Sequence, residues 1–182
     1  MIILLGLAGS GKSTQGQILA DKYGWKWISV GQVLRDEGGF EEILKSGELV
    51  DDQVVIDLMN REIGKVEEKG IETIVDGYPR DEYQAKWIAD NIPEKVDAVI
   101  YLEVPKEELW DRIKKRGRSD DTKEAIERRF AIVEQNIYSI INLLKAKNVK
   151  ITTVDGVGSF EEVTARLAAE IEKTLPNIAI KK

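Results

Sequence analysis

The segment Gly6-Leu7-Ala8-Gly9-Ser10-Gly11-Lys12-Ser13 fits the pattern G-x-x-x-x-G-K-[ST] and stands between an apolar run, Ile2 to Gly6, and a helical pattern, Lys12 to Tyr23. A chain carrying it has to fold there as strand, tight loop and helix. The glycines let the backbone curl until several N–H groups point into one concavity at a helix N-terminus, which is an anion site suited to phosphate. Lys12 then reaches the β and γ phosphates as a point charge, and the Ser13 hydroxyl is placed to meet Mg2+ directly or through water. A plain glycine turn is the bland alternative, and the strand-then-helix context favours the phosphate loop over it. The motif specifies a nucleoside triphosphate without saying what happens to it.

The rest of the chain is compatible with a parallel sheet around that loop. Short β-branched runs recur at Ile2 to Gly6, Trp25 to Val30, Glu72 to Asp76, Ala98 to Glu103 and Lys150 to Val154. Helical patterns separate them, the sequence form of strands buried on both faces by crossover helices. Helices are predicted over Lys12 to Tyr23, Glu82 to Asn91, Lys106 to Arg116 and about Thr122 to Lys147. In the last, Ile126, Phe130, Val133, Ile137, Ile140, Ile141 and Leu144 step by three and four, and Asp121 with Glu124 resembles a capping box. Residues 30–66 break the alternation and read as an inserted helical subdomain. Residues 116–122 hold a second, short polar link, and Lys181-Lys182 reads as a frayed end. With 182 residues, one domain spanning 1–182 accommodates all of this.

Composition narrows the chemistry. The chain has no cysteine and no histidine, which excludes a disulfide scaffold, a thiol nucleophile, a Ser-His-Asp triad and most zinc sites. The first apolar run is too short for a signal peptide, and no stretch approaches the ~20 apolar residues of a membrane span. A cytoplasmic protein without membrane contact is expected. A net charge of −6 argues against a nucleic-acid-tracking surface.

Against that acidic background the arginines cluster. Ile74-Val75-Asp76-Gly77-Tyr78-Pro79-Arg80 is a strand ending in an acid, then a turn into a helix. Asp76 sits where a strand-end carboxylate can hold the water shell of Mg2+, and Arg80 offers a planar fork for phosphate. Arg112 and Arg116 share a helix face, Lys115 stands beside them, Arg118 follows Gly117, and Arg128 and Arg129 open the next helix. A solvated basic face is the ordinary explanation of such a run. A phosphate loop elsewhere in the chain turns it toward a cationic clamp over transferring phosphate.

At these residues the sequence resembles the nucleoside monophosphate kinases of the adenylate kinase family, in their short-lid form. The matching blocks run in order over nearly the whole chain: Gly6 to Gln15, Ile28 to Arg35, Gly47-Glu48-Leu49-Val50, Asp76-Gly77-Tyr78-Pro79-Arg80 with Gln84, Arg112 with Arg116, Arg118 with Asp120-Asp121, Arg129, and Val154-Asp155-Gly156. The resemblance implies a three-layer α/β P-loop NTPase fold with a five-stranded parallel sheet. It also implies a helical insert that binds the nucleoside monophosphate (NMP), a lid too short for zinc, and a monomer using ATP, AMP and Mg2+. Gly9, Ser10, Gly11, Lys12, Ser13 and Thr14 would hold the ATP phosphates, with Arg112 and Gly158 near its adenine. Arg35, Arg80 and Arg129 would bind the acceptor phosphate, while Arg116, Arg118 and Arg129 gather around the phosphoryl in flight. Gln84 would bond the acceptor base, with Val30, Glu48, Leu49, Val50, Gly77, Tyr78 and Pro79 around the acceptor nucleoside.

The chain also differs from the family pattern. The usual Ser-Thr-Gly-Asp is Ser29-Val30-Gly31-Gln32, the Gly after the loop Lys is Ser13, and the loop Pro is Ala8. A kinase for CMP, UMP, GMP or a small metabolite is the alternative within the same chemistry. A nucleotide-driven switch module is the alternative outside it.

Overall fold

The computed structural model describes residues 1–118 and 120–178. The strands are β1 (Ile2–Leu5), β2 (Lys26–Ser29), β3 (Thr73–Asp76), β4 (Ala98–Glu103) and β5 (Lys150–Asp155). The helices are α1 (Lys12–Tyr23), α2 (Val30–Glu37), α3 (Glu41–Ser46), α4 (Asp52–Glu67), α5 (Glu82–Asn91), α6 (Lys106–Arg116), α7 (Lys123–Lys145) and α8 (Phe160–Thr174), with a 3-10 turn at Pro93–Lys95. All strand pairs are parallel, in the order β2-β3-β1-β4-β5.

The sheet has two buried faces because side chains along each strand alternate. Ile2 and Leu4 of β1 join Leu19, Tyr23, Val163, Leu167 and Ile171 under α1 and α8. Ile3 and Leu5 face the other way, into Ile56, Ile88, Ile140 and Leu144 of α4, α5 and α7. These layers confirm the three-layer α/β expectation. The central strands β1 and β3 are buried throughout. The edge strands β2 and β5 are not, since Lys26, Thr153 and Glu103's partner Asp155 face solvent, a departure from the fully buried runs predicted for every strand. A third cluster, Leu7, Leu109, Ile113, Ile126 and Phe130, seats α6 beside the loop that follows β1.

Register sets the site. Leu4 lies across from Asp76, and Leu4 accepts a hydrogen bond from the Gly77 N–H at 3.1 Å. Both β1 and β3 therefore end at the same level, at the point where the chain crosses from one side of β1 to the other, where open α/β sheets bind ligands.

Two helix starts differ from their sequence pattern. The N-cap of α7 is Thr122, whose hydroxyl accepts from the Ala125 N–H at 3.1 Å, so the expected Asp121/Glu124 box does not form. The Asp121 carboxylate instead accepts from two arginines, Arg116 and Arg129. The capping box lies at α8, where Ser159 and Glu162 satisfy each other's backbone N–H groups at 3.2 and 2.8 Å. Both α8 and its Ser-x-x-Glu signal are absent from the sequence-based assignment. Lys181-Lys182 lies outside the described residues.

Between β2 and β3 run α2, α3 and α4, with no strand. They are tied to α7 at Gly47, which caps α3 at φ 76°; a Cβ there would stand 2.5 Å from the Ala125 carbonyl oxygen and 2.7 Å from its Cα. Backbone, not a flexible side chain, blocks that space. Gly47→Ala is expected to lower stability by about 2 kcal/mol, a fall of about 4–8 °C in thermal midpoint. Gly64→Ala, in the last turn of α4 with nothing within 4 Å of the added Cβ, should instead raise stability by about 0.5–1 kcal/mol. Calorimetry of the two variants reads both signs.

Candidate active site

The loop after β1 is shaped by close packing. Gly6, Gly9 and Gly11 all have positive φ (146°, 83° and 99°), and a Cβ on Gly6 would stand 2.6 Å from the Leu102 carbonyl oxygen. A Cβ on Gly9 would stand 2.8 Å from Ile113 of α6. The loop is thus pressed between β4 and α6. No side chain caps α1 and no acid occupies its first turn, so its first N–H groups and positive dipole end remain available to an anion.

Lys12 folds back over this loop and donates from Nζ to the Leu7 carbonyl at 2.8 Å and to Ser10 Oγ at 3.3 Å. Desolvation is the largest influence on it and lowers its pKa to about 8, with Arg80, Arg116 and Arg118 pushing the same way and Asp76 opposing. Ser13 Oγ donates to Asp76 Oδ2 at 2.6 Å, which joins the end of β3 to the start of α1. These two oxygens fit one side of a Mg2+ site, since that ion takes one or two protein oxygens and completes its shell with water and substrate phosphate. Among the described residues there is no cluster of three or more His, Cys, Asp or Glu side chains able to hold a metal.

Arg80 is fastened at its base. Its Nε donates to the Gly77 carbonyl at 3.1 Å and its backbone N–H to Gln84 Oε1 at 2.9 Å. The outer nitrogens of Arg80 and Arg35 converge over Gly31, where a Cβ would lie 3.6–3.7 Å from them. Desolvation, then the neighbouring Arg129, lowers the Arg80 pKa to about 10, leaving it charged at neutral pH.

Two adjacent acids orient the remaining arginines. Asp121 accepts from Arg116 Nε and Nη2 at 2.8 and 2.6 Å and from Arg129 Nη1 at 3.1 Å. Asp120 accepts from Arg129 Nη2 at 2.9 Å and lies 3.9 Å from Arg35. Arg129 also donates to the Leu44 carbonyl at 2.7 Å, and Arg128 to Glu48 at 2.7 Å, so α3 and its following turn are tied to α7. Arg118 lies free of these acids' direct bonds among the described residues, and desolvation, Arg116 and Arg35 lower its pKa. Arg112 donates to the Ser10 carbonyl at 3.3 Å, to the Gly156 carbonyl at 2.9 Å and to Glu108.

The loop, Asp76, Asp120 and these arginines other than Arg128 line one cavity of about 730 Å3. It gathers Gly9 to Thr14, Arg35, Glu48, Asp76, Gly77, Arg80, Arg112, Arg116, Arg118, Arg129 and Gly158 from the sequence-based set. The other six lie off its wall. Val30, Val50 and Tyr78 belong to the core beneath α4 and α5, Pro79 is buried, and Leu49 is half-buried. Gln84 is fully buried and its amide is engaged at both ends, since Nε2 donates to Asp52 at 2.8 Å while Oε1 holds Arg80. Beside it the Asp81 carboxyl is raised to about 6, by burial first and then by Asp52. Ser29, Gly31, Glu108, Asp111, Ser159, Phe160 and Val163 line the cavity without having been singled out as site residues. Most of them come from α6 and α8, which approach the loop only in the folded chain.

The family described as Adenylate kinase matches residues 4–149. The chain is 33% identical to an adenylate kinase of Thermus thermophilus, over 93% of this chain and 96% of the relative. It is 34% identical to that of Stenotrophomonas maltophilia, over 94% and 98%, and 38% identical to that of a Mycobacterium species, over 91% and 95%. The family match spans the loop after β1, the β3 end with Arg80 and the arginines of α6 and α7, and with the relatives it places the chain in the adenylate kinase family.

Proposed function

We propose that the protein transfers the γ-phosphoryl group of ATP reversibly to AMP, giving two ADP. The single observation that carries this reading is the convergence of two phosphate sites on one cavity: the loop with Lys12, and the Arg35/Arg80 pair over Gly31. A switch module needs only the first.

The loop N–H groups and Lys12 bind the β and γ phosphates of ATP, and Arg35 and Arg80 the phosphate of AMP. Ser13 and Asp76 would hold Mg2+, which when bound neutralises charge on the donor phosphates. The acceptor oxygen of AMP is anionic near neutral pH, so it attacks the γ phosphorus without a general base while the bond to the β-bridging oxygen breaks. The protein's task is alignment and charge neutralisation. Arg116 and Arg129, aimed by Asp120 and Asp121, and Arg118 supply positive charge where the equatorial oxygens gain negative charge. The ties from α7 to Leu44 and Glu48 support α2 to α4 as the part that covers the acceptor and excludes water. Gln84 supports Arg80 from below, and it reaches an acceptor base once its bond to Asp52 is given up. The reading takes the protein as a monomer without a nucleic-acid or membrane partner. Among the described residues no helix is long and apolar enough to cross a membrane.

Lys12→Met and Arg80→Ala should each lower ADP formation about a hundredfold, which corresponds to roughly 3 kcal/mol of transition-state stabilisation, with thermal midpoints near wild type. Unchanged turnover in a coupled assay would falsify the assignment. Offered AMP, CMP, UMP, GMP or no acceptor beside ATP and Mg2+, the enzyme should form ADP fastest with AMP.

Lys12 also makes ATP binding proton-linked. With a pKa of about 8 in the ligand-free protein, it is charged well below that pH and neutral well above it. The triphosphate favours the charged form, so binding takes up about half a proton per site at pH 8 and almost none from this group at pH 6.5. Titration calorimetry in buffers of different ionisation enthalpy measures this, and the uptake should vanish in Lys12→Met.

A further inference from the structure

The buried amide of Gln84 is held one way round by two neighbours that the reaction chemistry does not explain. Its Nε2 donates to Asp52 Oδ1 at 2.8 Å, and its Oε1 accepts from the Arg80 backbone N–H at 2.9 Å. A carboxylate offers only lone pairs and a backbone N–H only a proton, so each end of the amide has one permitted partner. Turned over, it would set N–H against N–H and oxygen against carboxylate.

The partners come from different parts of the chain. Asp52 is the first residue of α4, in the insert between β2 and β3, whereas Arg80 and Gln84 belong to the turn after β3 and to α5. Among the described residues this is the only side-chain hydrogen bond between α4 and α5. Capping does not account for Asp52, because Asp51 caps α4 by accepting from the Gln53 and Val54 N–H groups at 3.0 and 3.2 Å. Nor does charge, since Asp52 stands near a second carboxyl, Asp81, and helps to raise its pKa. What Asp52 contributes at this place is an acceptor for Gln84.

We propose that Asp52 is a positioning residue for the acceptor phosphate: by fixing the Gln84 amide, it holds the Arg80 backbone in place before the acceptor arrives. Without that acceptor the buried Nε2 has no partner, a costly state that the amide leaves by turning away from Arg80. Arg80 then keeps its Nε bond to the Gly77 carbonyl and loses the anchor of its backbone. The proposal rests on the assignment of Arg80 to the acceptor phosphate. An acceptor base that takes the place of Asp52 on Nε2 restores the hold, and an acceptor without a base does not.

The test therefore uses ribose 5-phosphate, the sugar and phosphate of AMP without its base, as a competitor of AMP. In Asp52→Leu, similar in size and without a polar atom, its inhibition constant should rise about fivefold, while KM for AMP and for ATP stay within about twofold. Asp52→Asn keeps an oxygen that can accept from Gln84 and should stay near wild type. An unchanged inhibition constant in Asp52→Leu overturns the proposal. An equal rise in KM for ATP overturns it too, because it reports a disturbed fold instead of a lost anchor. A second measurement needs no nucleotide: exchange of the Arg80 N–H with deuterium, followed by NMR, should quicken about tenfold in Asp52→Leu and not in Asp52→Asn. Equal exchange in all three proteins overturns the proposal. The reaction assignment fails by a different result, absence of AMP-dependent ADP formation in the wild type, under which the exchange rates still decide whether Asp52 holds Arg80.

Discussion

Eight cationic side chains and five acidic ones line one cavity in a chain of net charge −6, and the repulsion among those cations is the constraint on which the rest of the structure depends. Burial is the largest cause of the lowered pKa of Lys12, Arg80 and Arg118, and other cations of the cavity push each of them in the same direction. Charges of one sign in a confined space stay together only if rigid elements hold their bases and acids hold their heads. Here the bases are helices seated by the core clusters, and the heads are held by Glu108, Asp120, Asp121 and backbone carbonyls. The ligand-free protein stores this repulsion, and polyanionic nucleotides release it.

That view explains why the sheet order matters for chemistry. Parallel pairing of β1 with β3 brings Ser13 within 2.6 Å of Asp76, so the glycine loop and the turn that carries Arg80 grow from adjacent strand ends. Each strand core fixes one half of the site. Errors in the register of one pair would separate the halves by a whole residue step, turning side chains to the opposite face.

The glycine loop, the five strands and the long helix α7 were legible in the residues because each is a local pattern: a motif, a short β-branched run, a repeat of three and four. Arg80, Arg116 and Arg129 were legible because guanidinium groups stand out in an acidic chain. What did not read through were features set by competition. Asp121 has the sequence of a capping residue, yet two arginines from different helices claim its carboxylate, and Thr122 takes the cap. Gln84 has the look of a residue facing a ligand, yet Asp52 from another helix engages its amide in the interior.

The sequence by itself determined that this chain forms a glycine loop between strand and helix, a parallel α/β sheet and an arginine-rich cavity without histidine or cysteine, since those follow from residue type and short-range spacing. Only the tertiary structure decided which carboxylate holds which arginine, and which residues of the matching blocks reach the cavity and which lie beneath it. The physical reason is that hydrogen bonds and ion pairs are claimed by whichever partners packing brings closest, and residues such as Asp52 and Gln84, 32 positions apart, meet only once the hydrophobic layers have set where each helix lies.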